Sequence, residues 1–416
     1  MRIAIGIWIA ILVFIAAKSY IKPNTHTVYT TYSQAAQTWF EYETPRRFGI
    51  SYLQRQYCPF FGVLMQPFAA LPDAIGGALW SSLGLGLIGT GLFRLLGQWK
   101  AMNLVSNQAT AMMCLPIFGI ASIFNGQANM LMLGSMLWAT TLLLDKSYWR
   151  AGFFLALPIA IKTYPIALAM VFVGLVPRIL LPTAISLAGM CLLPFLFCSR
   201  ETAMQLYSQW LGFLVSQEHI ETSFITSDFR AFLVRMGMSP SRPVHLLMQA
   251  STGAAVFAVA LRIRKRLAVT DKVNAQNHAL SWGYLLTSIW FVAFGPATEE
   301  ATYLLAAPAL AVLAERTISN HSTSIVHSLF AAVLLIVIGP TQASFFGETV
   351  RKWIFDQKLA PCALTIVFAY LVVQQAIGRP ITAERSPLLE KSADAEPIVV
   401  KGMFGDDRNF EKRKAA

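Results

Sequence analysis

Lys162 is the only charged residue in the apolar run from Ala151 to Val173. A cation at the centre of a membrane segment costs about 3 kcal/mol or more unless a cavity, a water or an anion meets it. The chemistry that suits such a placement is phosphate binding, because a lysine is a compact point charge. The plainer alternative is a lysine at a helix end, with its stem in the apolar layer and its head at the interface. The break Lys162-Thr-Tyr164-Pro165 favours the first reading, since it suggests two helices that end around a cavity inside the membrane.

Other polar residues interrupt apolar sequence in the same way. Phe124-Asn125-Gly-Gln127-Ala-Asn129 sets three amides between two apolar runs. Each amide offers both a donor and an acceptor to a sugar hydroxyl, although Asn-Gly is also a strong turn dipeptide. Glu299 and Glu300 sit in Gly295-Pro-Ala-Thr-Glu-Glu-Ala-Thr302-Tyr303, again between apolar runs. A carboxylate held there gains basicity from its surroundings and can act as a general base; the alternative is a solvated loop pair. Asp228-Phe-Arg230 reads either as an orienting pair or as a surface ion pair.

The first polar stretch carries Tyr29-Thr-Thr-Tyr32-Ser-Gln-Ala-Ala36, then Trp39-Phe-Glu41-Tyr-Glu43, then Arg55-Gln-Tyr57-Cys-Pro59-Phe-Phe. A polar helix followed by Tyr-x-Pro and an apolar run can line the mouth of a cavity. Interfacial aromatics on an ordinary loop would have the same composition.

The elements that must position these residues are membrane helices. Of the 416 residues 56% are hydrophobic and 13% charged, with a mean hydropathy of +0.54. Soluble domains are about a quarter charged, so the composition is that of a polytopic membrane protein. Candidate spans fall near 3–19, 72–97, 104–123, 128–144, 151–162, 165–176, 179–198, 243–262, 280–295, 302–314, 323–339 and 360–377. Several are shorter than the roughly 20 residues that cross the hydrocarbon as a helix. The first run, after Arg2, reads as a signal anchor.

The net charge of +12 does not call for nucleic acid. Its basic residues flank apolar runs: Lys100, Lys146 with Arg150, Arg178, the cluster Arg262-Ile-Arg264-Lys265-Arg266, and Arg316. By the positive-inside rule their side is cytoplasmic, and both termini are expected there. The opposite side receives two long loops, about 20–71 and 199–242, and the connectors at Asn125, Lys162 and Glu299. Residues 1–380 read as one membrane domain and 381–416 as a disordered, charged cytoplasmic tail. Five scattered cysteines match no metal or disulfide spacing.

The Tyr32-Ser-Gln-Ala-Ala run, Tyr57-Cys-Pro-Phe-Phe through Pro67, Pro72 and Trp80, the Asn125–Asn129 connector and the Ala160-Ile-Lys162-Thr-Tyr-Pro165 step occur in one order. That ordered set, over roughly residues 20–315, resembles glycosyltransferase family 87. The resemblance implies an all-α GT-C-like bundle of about twelve transmembrane or re-entrant helices with a helical first outer loop, in the cell (inner) membrane. It implies an inverting hexosyltransferase, independent of metal and cofactor. The donor would be a polyprenyl-phosphate sugar, typically mannose, used on the extracytoplasmic side. The acceptor would be a glycolipid or glycan. Lys162 and Arg55 would hold the phosphate. Asn125, Gln127 and Asn129, with Tyr32, Tyr57 and Tyr164, would contact sugar or shape the cavity.

One departure matters. Family members typically carry an aspartate four residues before the tyrosine that Tyr32 resembles, and here Val28 stands there. Glu299, Glu41 and Glu43 are the replacement bases to consider, Glu299 first. A lipid-linked sugar transporter or flippase would also want cations and amides at membrane depth, but no internal repeat is visible. A catalytically inactive relative acting as a binding subunit is the reading that Val28 favours.

Overall fold

The computed structural model describes residues 1–25, 27–40, 56–215, 226–269, 271–295, 298–319, 325–339 and 347–377, over 325–330 by backbone alone. Among them all regular structure is helical. Glu41, Glu43, Arg55 and the tail 381–416 lie outside the described residues.

The chain opens with α1 (Arg2–Ile21) and the short α2 (Tyr29–Thr38). Next come α3 (Pro59–Ala69), started by Pro59, and the long α4 (Asp73–Ala101). Helices α5 (Gln108–Phe124), α6 (Asn129–Leu144), α7 (Tyr148–Ile161) and α8 (Ile166–Leu175) are shorter and apolar. A 3-10 turn at Pro177–Ile179 leads into α9 (Leu180–Leu192), followed by α10 (Arg200–Val215), α11 (Phe229–Arg235), α12 (Arg242–Leu267) and α13 (Lys272–Ala293). After a 3-10 turn at Leu193–Leu196 that follows α9, a third, Glu300–Leu305, precedes α14 (Ala307–Ser319), α15 (Ile325–Ile338), α16 (Glu348–Asp356) and α17 (Leu359–Ile377).

Each of the twelve expected spans coincides with helix. Among the described residues five, not twelve, reach the length and hydropathy needed to cross a membrane unaided: α1, α4, the stretch Pro177–Leu196, α12 and α17. The others, α7 at 14 residues and α8 at 10 among them, extend only about 21 and 15 Å at 1.5 Å per residue. The expectation of short paired helices around Lys162 is therefore met, and the protein is a multi-pass membrane protein.

Helix α6 is the centre. Every residue from Asn129 to Leu144 except Trp138 is buried, as expected for a helix that is apolar all round. It packs on α4 and α7. Without a strong hydrophobic drive in lipid, helices associate by close backbone approach at small residues. A Cβ on Gly84 would lie 2.8 Å from Met130 Cβ, one on Gly91 3.0 Å from Leu137 Cβ, and one on Gly134 2.6 Å from Leu87 Cβ. Helix α1 is tied across this core by the Trp8 indole, which donates to Met112 O at 2.9 Å.

The two ends of the bundle differ in chemistry. At one end the connectors before α6, before α8 and after α13 meet. At the other, Asp145 pairs with Arg94 at 2.7 Å. Buried Glu315 accepts there from Ser106 Oγ at 2.5 Å and from Asn107 N at 2.6 Å. Lys146, Arg150 and Arg178 share one cavity at that second end, where Arg316 also donates to Leu104 O at 3.0 Å.

Candidate active site at the connector end

Lys162 caps the C-terminus of α7, its N–H donating to Pro158 O at 3.0 Å. The helix dipole favours a cation there. The neighbouring Ile161 O accepts from Cys58 N at 3.4 Å, which ties the α7 end to the start of α3. As a result the Lys162 ammonium lies 4.8 Å from the Tyr57 ring centre.

Tyr57 belongs to an aromatic cluster built from four elements. Its hydroxyl meets that of Tyr32, on α2, at 3.0 Å, and its ring stacks on Phe61 at 4.4 Å. Trp80 of α4 packs edge-on against Tyr32 at 6.3 Å and Phe61 at 6.2 Å. The amide connector seals this cluster. Gly126 O accepts from the Trp80 indole at 2.8 Å, Ala128 N donates to the Tyr32 hydroxyl at 3.5 Å, and Asn125 O accepts from Val28 N at 2.9 Å. Gly126 stands at φ 65, the left-handed turn geometry that Asn-Gly supplies.

The three amides divide. Asn125 and Gln127 keep partly exposed side chains. Asn129 is buried, and its amide donates to Ala301 O at 3.0 Å while its Oδ1 has no hydrogen-bond partner among the described residues. Asn129 thus braces the 3-10 turn that follows Glu299.

The paired glutamates also divide. Glu300 turns to α16, where Arg351 approaches to 3.2 Å. Burial raises the Glu300 carboxyl above its ordinary pKa, and the nearby charges of Arg351 and Lys358 partly counter this. Burial raises the hydroxyl pKa of both Tyr57 and Tyr164; the charge of Glu299 lies within reach of both and adds to this, while that of Lys162 favours ionisation of Tyr164. The Lys162 ammonium thus lies over Tyr57, and Glu299 is within electrostatic reach of the Tyr57–Tyr164 pair. Tyr164 packs its ring on Phe291 at 5.5 Å, and its hydroxyl has no hydrogen-bond partner among the described residues.

Glu299 is held through its neighbours, a role that the pattern of residues did not announce. Ser227 N donates to Thr298 O at 2.6 Å, and Tyr303 donates to Ser227 O at 2.9 Å. Asp228, buried, caps α11 by accepting from Ala231 N at 2.8 Å and also accepts from the Thr298 backbone. With Arg351 on Glu300 and Asn129 on Ala301, the backbone is fixed on both sides of Glu299. The sequence offered Asp228-Phe-Arg230 as an orienting pair or a surface ion pair; the use of Asp228 as a brace depends on a contact 70 residues away. No group of three His, Cys, Asp or Glu that could hold a metal occurs among the described residues.

The model of glycosyltransferase family 87 matches residues 56–289, and the chain belongs to that family. The match includes Tyr57, the Asn125–Asn129 connector and Lys162–Pro165; it starts after Tyr32 and stops before Glu299. The protein is a membrane glycosyltransferase. No curated protein and no solved structure matches the chain.

Proposed function

We propose that this enzyme transfers a hexose, mannose in the first instance, from a polyprenyl-phosphate donor to a glycolipid or glycan acceptor on the extracytoplasmic face of the cell membrane. The observation that carries the proposal is the Lys162 ammonium over the Tyr57 ring, with Glu299 near enough for its charge to act on Tyr57 and Tyr164. Glu299 takes the proton from the acceptor hydroxyl. The acceptor oxygen attacks the anomeric carbon from the face opposite the phosphate, and the bond from that carbon to the phosphate oxygen breaks with inversion. The leaving polyprenyl phosphate gains negative charge, which Lys162 stabilises and the Tyr164 hydroxyl meets as a donor. Asn125 and Gln127 flank the sugar; Tyr32 and Asn129 hold the surrounding walls. Arg55, Glu41 and Glu43 remain proposed donor contacts or alternative bases from the sequence.

Purified protein incubated with polyprenyl-phosphate mannose and membrane lipid extract is expected to yield mannosylated product. Glu299→Gln is expected to lower kcat about 10²- to 10⁴-fold, the range for loss of general base catalysis, with donor KM little changed. A Glu299→Gln enzyme of unaltered kcat would remove the assigned base.

Val28 favours a second reading, a relative that binds the donor without transferring sugar. Its N–H serves the Asn125 connector, and its side chain offers no carboxylate. Donor binding with neither transfer nor hydrolysis would support that reading.

A further inference from the structure

At the base of the α7–α8 hairpin, far from the tyrosines, Lys146, Arg150 and Arg178 line one surface cavity of about 440 Å³ together with Tyr148, Trp149 and Leu181. Three cations and no acid form this lining. The carboxylate nearest in sequence, Asp145, is engaged elsewhere, by Arg94 at 2.7 Å and by the Gln98 amide at 2.8 Å. Among the described residues Lys146, Arg150 and Arg178 make no ion pair. Like charges gathered without a counter-charge are an anion site by Coulomb's law.

Two separate chain segments build the cavity, and one glycine lets them meet. A Cβ on Gly152 would lie 2.6 Å from Pro182 Cβ and 2.8 Å from the backbone at Pro182 and Thr183. The α7 and α9 helices thus approach closely, which brings Arg178 to the same cavity as Lys146 and Arg150. Ser147 supplies no side-chain cap to α7, so the positive end of that helix adds to the field.

The rim decides which anion fits. Trp149, Leu180 and Leu181 are 61%, 56% and 62% exposed. An indole beside cations, with leucines adjoining, is the composition of a bilayer interface, indole at headgroup level and leucines in the acyl layer. A free phosphate would make no use of this apolar rim. The geometry points to a binding site for an anionic phospholipid, its phosphodiester among Lys146, Arg150 and Arg178 and its acyl chains along Leu180 and Leu181. The site lies at the opposite end of α7 from Lys162, about 21 Å away along its 14 residues. It is separate from the donor site and anchors the hairpin that presents Lys162.

The test is native mass spectrometry of the full chain in detergent, equilibrated with equal amounts of phosphatidylglycerol and phosphatidylcholine. One phosphatidylglycerol per chain is expected to survive, with phosphatidylcholine lost. Each cation near a charged membrane surface contributes about fivefold in affinity. The combined change of Lys146, Arg150 and Arg178 to Ala should therefore weaken retention roughly a hundredfold, while Lys162→Ala leaves it unchanged. Equal retention of both lipids, or wild-type retention by the triple variant, overturns the proposal. Competition by inorganic phosphate would convert it to a free-anion site and overturn the lipid assignment. If the triple variant does not fold, the wild-type protein decides: phosphatidylglycerol retention must fall as salt rises, and indifference to salt rejects the site.

Discussion

Lys162 is tolerable in its surroundings because two local features ease its burial. It stands at the C-terminus of α7, where the helix dipole stabilises a cation by about 0.3–1 kcal/mol. Its ammonium also lies over the Tyr57 ring, a contact worth about 0.5–2 kcal/mol. Lys162→Ala is expected to abolish sugar transfer while the protein inserts and elutes as wild type; unchanged transfer would end its role. Tyr57→Phe keeps the ring and loses only the hydroxyl contact with Tyr32, about 1 kcal/mol of stability. Tyr57→Leu removes the ring as well, and donor KM should then rise roughly tenfold. Equal effects of the two substitutions in a donor titration would show that the ring does not matter.

Elements act by placing backbone. Glu299 stands at the start of the 3-10 turn Glu300–Leu305 rather than inside a long helix, so its position comes from braces on α6, α11 and α16. Asn129→Ala leaves the Ala301 carbonyl without its buried donor, which costs about 1–3 kcal/mol and should lower the thermal midpoint in detergent. Arg351→Gln loosens Glu300 without touching the proposed reacting groups. It is expected to reduce kcat with little change in donor KM, and a rise in KM alone would place Arg351 in binding instead. At the α4–α6 crossing, Gly134→Val forces a side chain against the Leu87 and Ile88 backbone. Overpacking of this kind costs about 1–3 kcal/mol, read as the same thermal shift.

Among the described residues the helical bundle is polarised end to end. Connectors bearing Asn125, Lys162 and Glu299 share one end, where Arg351 also stands, and Lys146, Arg150, Arg178 and Arg316 share the other. If positive charge marks the cytoplasm, a cysteine replacing Gln127 should react with a membrane-impermeant thiol reagent added outside intact cells. A cysteine replacing Lys146 should react only after permeabilisation, in each case with Cys191, Cys198 and Cys362 changed to serine. Labelling in the reverse order would invert the topology and move the proposed reaction to the other face.

Much of this was legible in one dimension. An isolated lysine, three clustered amides and a glutamate pair stand out because water-free surroundings make polar groups expensive, and apolar runs mark the helices that carry them. Spacing along a chain, however, settles neighbours only within about four residues on a helix. Tyr32 and Tyr57 meet across 25 residues, Asn129 and Ala301 across 172. Only packing could decide that adjacent Glu299 and Glu300 face different partners, or that Asn129 braces a turn. The sequence by itself determined which residues were costly enough to need a purpose. The tertiary structure decided which of them meet, because close helix approach at Gly84, Gly91 and Gly134 sets the geometry that brings distant connectors together.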